Sequence, residues 1–365
     1  MNDKRSSTTK MHLTCAIIFI VFTYLYLSCC QADVMAVAQH VLSDGLTTYN
    51  YTLSPILATM VLFLLQLGVY AVTRVKNTFH ALTYFPSLLV LAFITDIPTN
   101  VDAHPSLGAW VWMAPLLLLL YGGVMWVIRQ LDPYETESRP GLWMSRKTWL
   151  NLFQLLVMML VVVLVGNGDT VFHERMKMER LMMQGKYAEA LEVGKKNLET
   201  DSSLTMLRVA CLHRTGQMGE KLFTYPLVGG SKAMIPDSVT TKSLMWRTPK
   251  WMHPMRNGRL KYLRPADYQL CALLLDRKLD KFVAEVQKQY KLGSDSMPKH
   301  YREALVLYAH RRSAPMIIYK NSVMEADFQD FQTMERKYSD FQERDAALRD
   351  TYGNTYWYYY QQGIK

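Results

Sequence analysis

The chain has 365 residues, half of them hydrophobic and 20% charged, with a net charge of +10, and its mean hydropathy of −0.03 would suit a soluble domain. The charge is unevenly spread, however: residues 1–165 hold 9 of the 41 Lys and Arg and 8 of the 31 Asp and Glu, which leaves 32 and 23 to residues 166–365. An oily half joined to a basic, water-soluble half excludes a secreted mini-protein, a disordered tail and an ordinary cytosolic enzyme.

In chain order, five apolar runs free of Asp, Glu, Lys and Arg come first: Met11–Cys29, Pro55–Val72, Phe79–Ile94, Gly108–Ile128 and Trp149–Val165. Each approaches the roughly 20 residues a helix needs to cross about 30 Å of hydrocarbon. The third is the shortest and contains Pro86, so a tilt or kink is expected there. Apart from His12 and His80, each second in its run and so at its edge, the strongly polar side chains within the runs are amides, Gln66 in the second and Asn151 and Gln154 in the fifth. Ion and proton pathways need ionisable groups deep inside the membrane, which argues against a pump or ion-coupled transporter.

The loops between the runs set an orientation. Lys4, Arg5, Lys10, Arg74, Lys76, Arg129, Arg139, Arg146 and Lys147 all fall on one side, whereas the opposite loops, Gln31–Ser54 and Thr95–Leu107, contain no Lys or Arg. Basic residues are retained on the cytoplasmic side. The expectation is a cytoplasmic N-terminus at residues 1–10, a five-helix membrane domain at 11–165, and an external domain at 166–365, periplasmic in a bacterium. The first run is expected to stay as an uncleaved signal anchor.

From Phe172 onward amphipathic helices of 10 to 15 residues alternate with short turns. In Leu181–Asp201 the residues Tyr187, Ala190, Leu191 and Leu198 recur at the spacing of one buried face, after a tight turn at Gly185. Gly185, Tyr187 and Ala190 stand at the spacing of a tetratricopeptide repeat, and this stretch resembles the middle of one. Gly194 and Asn197 depart from that pattern. A fainter copy runs through Leu204–His213 and Gly216. Pro265–Leu275 pairs with Leu279–Tyr290 across Asp276-Arg277-Lys278, and Pro298–Arg311 begins another hairpin. The expected fold is all-α: a five-span region followed by an irregular, tetratricopeptide-like α-solenoid, interrupted at residues 226–264. The spans, the repeats, Leu222–Ser238 (LFTYPLVGGSKAMIPDS) and Gly353–Tyr360 (GNTYWYYY) together resemble an uncharacterised family of bacterial multi-spanning membrane proteins. That resemblance implies an envelope location and imports no reaction.

The interruption is the most unusual soluble segment. No acid lies between Asp237 and Asp267, while Lys242, Arg247, Lys250, Arg256, Arg259, Lys261 and Arg264 alternate with Trp246, Trp251 and Tyr262. Cations that pair with phosphate or carboxylate, beside rings suited to an interface, make Arg247, Lys250, Trp251, Arg256, Arg259 and Lys261 the candidate binding residues for an anionic glycan, a lipid headgroup or a protein partner. The plainer reading is a solvated loop whose aromatics tuck onto the helices. Nucleic acid is excluded by the compartment. The C-terminal tyrosines Tyr352, Tyr356, Tyr359 and Tyr360 are expected on one helical face, capping the array.

The outward loops carry Asp33, Asp44, Asp96 and Asp102, residue types with which membrane glycosyltransferases hold a divalent metal or a general base. Five spans are few for such an enzyme. The leading expectation is therefore a non-enzymatic, membrane-anchored scaffold of the cell envelope with no cofactor and no metal. The second reading is a transferase, or a subunit of one, acting on lipid-linked sugars through those four acids. Cys211 and Cys271 each fall within an expected helix, and buried free thiols are expected rather than a bridge.

Overall fold

The computed structural model describes residues 2–75, 77–98, 108–131, 146–237, 239–252, 264–291 and 296–362. Among these are sixteen α-helices and no strand. The chain divides into two compact units, Met1–His173 and Glu174–Lys365, and the division falls inside the helix Thr170–Met183.

The first unit contains α1 (Asn2–Leu25), which continues as a π-helical turn over Tyr26–Cys30, then α2 (Ala32–Leu42), α3 (Leu53–Thr73), a 3-10 stretch Asn77–Tyr84 that leads into α4 (Phe85–Thr95), α5 (Trp110–Leu131) and α6 (Arg146–Val165). Five helical stretches in it are long and apolar enough to cross a membrane: Thr9–Cys30, Leu53–Thr73, Thr78–Thr95, Trp110–Gln130 and Arg146–Val165. They coincide with the five apolar runs. Large apolar side chains point outward along them, with Leu119 and Leu164 each 75% exposed, a surface suited to hydrocarbon contact. Phe19, Tyr84, Leu88, Leu91 and Leu155 fill the interior.

The expected kink lies just before Pro86. Proline lacks an N–H, and its ring opposes the carbonyl four residues earlier, so α geometry starts at Phe85 and the preceding turns are 3-10, bent at Phe79 (φ −114°, ψ 16°). The Asn151 side chain of α6 compensates, its Oδ1 accepting from the Ala81 N–H at 2.6 Å. Gln66 donates to Thr83 Oγ1 at 3.0 Å, and Ser87 to the Leu62 carbonyl at 2.8 Å. Gln66 and Asn151 therefore join one helical element to another, by bonds of a kind worth about 0.6–1.7 kcal/mol each between helices in membranes. Arg129 of α5 donates to the Thr73 and Val72 carbonyls at 3.2 and 2.9 Å, placing a cation at the negative C-terminal end of α3.

The second unit continues α7 (Thr170–Met183) with α8 (Tyr187–Leu191), α9 (Ser202–Arg214), α10 (Met218–Lys221), α11 (Ala266–Leu275), α12 (Leu279–Gln289), α13 (Lys299–Arg311), α14 (Ser322–Lys337), α15 (Phe341–Tyr352) and α16 (Tyr356–Gln362). Its first three hairpins close by one and the same turn. Gly185, Gly216 and Arg277 all have positive φ (75°, 68° and 57°). Each donates its N–H three residues back, and the next residue donates five back: Gly185 to Met182 and Lys186 to Leu181, Gly216 to His213 and Gln217 to Leu212, Arg277 to Leu274 and Lys278 to Leu273. This is the Schellman arrangement, which satisfies the last carbonyls of a helix by turning one residue left-handed.

Two expectations fail. The buried face expected to join Tyr187, Ala190, Leu191 and Leu198 does not reach Leu198, because the helix stops at Leu191 and Leu198 is 63% exposed. The cause is at Gly194, where the repeat pattern departs: its φ is +61° and its carbonyl accepts from Arg208 Nη2 at 3.1 Å. A side chain there would meet the Glu174 carboxylate. At the C-terminus, Tyr352 ends α15 and so does not share a helix with Tyr356. Tyr356, Trp357 and Tyr358 are the buried members of the run, and Tyr359 and Tyr360 are half-buried.

Candidate binding surface

The basic, aromatic segment begins in a turn made by Asp237. Its Oδ1 accepts the N–H groups of Val239, Thr240 and Thr241 at 2.7–2.9 Å, and its Oδ2 accepts the Thr240 hydroxyl at 2.5 Å. These bonds, the hydroxyl's first, hold the carboxyl well below the usual carboxylate range. Ser203 at the start of α9 then donates to the Thr240 carbonyl at 3.3 Å and accepts the Lys242 N–H at 3.0 Å.

The next three residues are fixed by a single side chain. Glu179 of α7 is fully buried, and its carboxylate accepts the consecutive N–H groups of Leu244, Met245 and Trp246 at 2.9, 2.6 and 3.1 Å. Successive amides converging on one anion form a nest whose partial charges complement the carboxylate. Arg175, one turn earlier on α7, lies 3.6 Å from Glu179 and 3.8 Å from Asp201. Burial pushes the Glu179 pKa up, while Arg175 and the three amides draw it back. Asp201 in turn caps α9 by accepting the Leu204 N–H at 2.6 Å, so one polar chain joins α7, α9 and the segment.

Beyond this anchor, Arg247 and Lys250 are exposed, and Trp251 turns inward. The Trp251 ring stands edge-to-face on Tyr268 (4.8 Å, 83°) and on His213 (5.3 Å, 70°), and the His213 Nδ1 is 2.8 Å from Asp267 Oδ2. Trp246 is buried. Two cations are thereby held on the surface by a stretch whose two described tryptophans, Trp246 and Trp251, pack inward. Arg256, Arg259 and Lys261 lie outside the described residues.

The four outward acids are placed differently from one another. Asp33 lies in the first turn of α2, half-buried. Asp44 occupies an exposed left-handed position after α2 (φ 51°). Asp96, which follows α4, accepts the Trp110 Nε1–H at 2.7 Å, a bond that ties α5 to the end of α4. Asp102 lies outside the described residues. Among the described residues no group of three or more His, Cys, Asp or Glu is arranged to hold a metal ion. Cys211 and Cys271 are free and buried, as expected, and burial pushes each thiol up to about 12.

A family model described as a family of unknown function, DUF6057, matches residues 5–253 and 264–363. The chain belongs to this family. The matched stretches include Arg247, Lys250, Trp251 and Glu179, and the interval between them holds Arg256, Arg259 and Lys261. No curated protein and no solved structure matches the chain.

Sequence reasoning missed Glu179, although a signal for it is present. Phe172, Met176, Glu179 and Met182 fall on one helical stripe, and all four are buried. An acid on an otherwise apolar stripe needs a partner, and α7 itself offers only Arg175 at helical spacing.

Proposed function

We propose that this member of the DUF6057 family is a membrane-anchored binding protein of the bacterial cell envelope, in which the Glu174–Lys365 unit presents a basic surface to an anionic glycan, an anionic lipid or an acidic protein. The five spans serve as the anchor. The distribution of nine basic residues on one set of loops supports a cytoplasmic N-terminus and a periplasmic second unit. The three hairpins closed by the same left-handed turn support a tetratricopeptide-like array, a class of scaffold that presents extended surfaces to partners.

The observation that carries this reading is the anchoring of the basic segment. A buried carboxylate receives three successive amides, which fixes the segment rigidly enough to hold Arg247 and Lys250 at the surface without a flexible loop's ordering cost. The test is purification of the full chain from solubilised membranes, with identification of co-purifying proteins, lipids and glycans, for the wild type and for Arg247→Glu combined with Lys250→Glu. The expected result is loss of an acidic partner from the variant. An unchanged set of partners would sink the proposal.

A further inference from the structure

Of the five cysteines, Cys29 and Cys30 are exposed, whereas Cys15, Cys211 and Cys271 are buried. The exposed pair closes the π-helical turn Tyr26–Cys30 that ends the first span. Neither thiol has a partner within reach in its own chain. Consecutive residues on a helix point about 100° apart, and their Cα atoms, about 3.8 Å apart, are closer than the roughly 4.4–6.8 Å that a disulfide spans. Cys15 precedes Cys29 by 14 residues on the same helix, about 20 Å along its axis. In an oxidising compartment, exposed thiols of this kind are left to pair with another molecule.

Cys29 also ends an unpacked face. Ile18, Val21 and Leu25 of α1 recur three and four residues apart, all exposed, and Cys29 follows one turn on. Beside this stripe, Ile20 and Tyr24 join Ile56, Thr59, Met60 and Phe63 of α3 around an apolar hollow of about 330 Å³, with room for side chains of another helix. Lipid tails can cover such a surface, but they offer nothing to a thiol at its end.

A second copy of the chain meets the geometry by symmetry. Two copies inserted in the same direction bring their α1 helices together in parallel about a two-fold axis, so that Cys29 meets Cys29 at one depth. Helices packed about 8–10 Å apart, each with Cα atoms about 2.3 Å from its axis, bring facing Cα atoms to about 3.5–5.5 Å, which overlaps the disulfide range. A different protein would need a cysteine of its own at that depth.

We propose that the chain forms a two-fold dimer along the Ile18, Val21 and Leu25 face of α1, closed by a disulfide between the two copies of Cys29. Its chemistry rests on the periplasmic reading of the outward loops and is independent of what the basic segment binds. The oxidant is a protein disulfide of that compartment. The Cys29 thiolate of one copy attacks one sulfur of this disulfide, forming a mixed disulfide and releasing the other sulfur as a thiolate. The Cys29 thiolate of the second copy then attacks the Cys29 sulfur of the mixed disulfide, which closes the bridge and expels the second oxidant thiolate. Two electrons pass to the oxidant, and its two thiolates take up the two protons lost from the Cys29 thiols.

The test expresses the full chain with two different tags in one cell, blocks free thiols before lysis and separates the products without reductant. A species of twice the chain's mass is expected to carry both tags, to collapse with dithiothreitol, to disappear in Cys29→Ser and to persist in Cys30→Ser. Mass spectrometry of the wild type, which needs no variant, is expected to find Cys29 linked to Cys29. In a chain carrying Cys29→Ser and Cys30→Ser, oxidation with copper phenanthroline is expected to cross-link Leu25→Cys and not Leu119→Cys, which is exposed on α5. Absence of the dimer, a disulfide to a different protein, or equal cross-linking at both positions each overturns the proposal. A membrane-impermeant maleimide, applied to spheroplasts carrying Cys30→Ser, separates these failures from a failure of the topology. Labelling of Cys29 only after reduction is expected. Labelling before reduction, or under no condition, overturns the dimer. Labelling that requires permeabilised membranes puts Cys29 in the cytoplasm and overturns the topology together with the dimer.

Discussion

The guanidinium of Arg277 lies 4.4 Å from the centre of the Tyr359 ring and donates to the Tyr359 and Tyr360 carbonyls at 2.9 and 3.2 Å. One side chain thus holds the C-terminal helix α16 to the turn between α11 and α12. Arg277 occupies the left-handed position that Gly185 and Gly216 fill in the other two hairpins. A non-glycine residue costs about 1 kcal/mol in that conformation. Two hydrogen bonds from a charged donor, each worth about 1.5–3 kcal/mol, together with a cation–π contact, outweigh it. Arg277→Gly relieves the backbone and loses the contacts, so it is expected to destabilise the docking of α16 by about 2 kcal/mol. Hydrogen exchange over residues 356–362 would show the loss, and unchanged protection would contradict it.

Glu179→Gln should cost about 3 kcal/mol, because it leaves Arg175 buried beside a neutral amide and turns one acceptor oxygen of the amide nest into a donor. Denaturant unfolding measures the total. Exchange at the amides of Leu244, Met245 and Trp246 localises it, and continued protection there would show that the nest is not the anchor.

Acid should weaken the Asp237 turn. Its carboxyl is held below the ordinary value of 3.8 in the folded chain, so its stabilising contribution is present above that value and lost as pH falls below it. Asp237→Asn keeps an acceptor for the turn but removes the titration. The difference in thermal stability between wild type and variant is expected to shrink on acidification from pH 6 towards pH 2. A difference independent of pH would remove the carboxylate from the account.

Thiol chemistry offers a fourth check. With both pKa values raised to about 12 by burial, Cys211 and Cys271 are expected to resist a maleimide at pH 8 in the folded chain and to react after denaturation. Mass spectrometry reads the modified peptides. Rapid labelling of either residue without unfolding would mean that its helix opens locally.

Much of the helical framework was legible in the sequence because its causes are local. Hydropathy over about 20 residues marks a span whatever its neighbours are, so all five runs reappear as helices of the expected extent. The hairpin turns at Gly185, Gly216 and Asp276-Arg277-Lys278 were also legible, since they rest on residues at most five apart. The exposure of Leu198 was not, because the helix ends ahead of Gly194, which is constrained by Arg208 and Glu174, 14 and 20 residues away in the chain.

The candidate surface divides in the same way. Its charge could be read from composition, and so could the contrast between Trp246, Trp251 and the cations around them. That Glu179 receives amides 65 to 67 residues away could not, because a buried carboxylate chooses its donors by proximity in space. By itself the sequence determined the spans, the helical turns and the uneven charge, all consequences of short-range chain chemistry. The tertiary structure alone decided which charges are buried and which are presented, because desolvation and Coulomb pairing depend on neighbours that the chain order does not reveal.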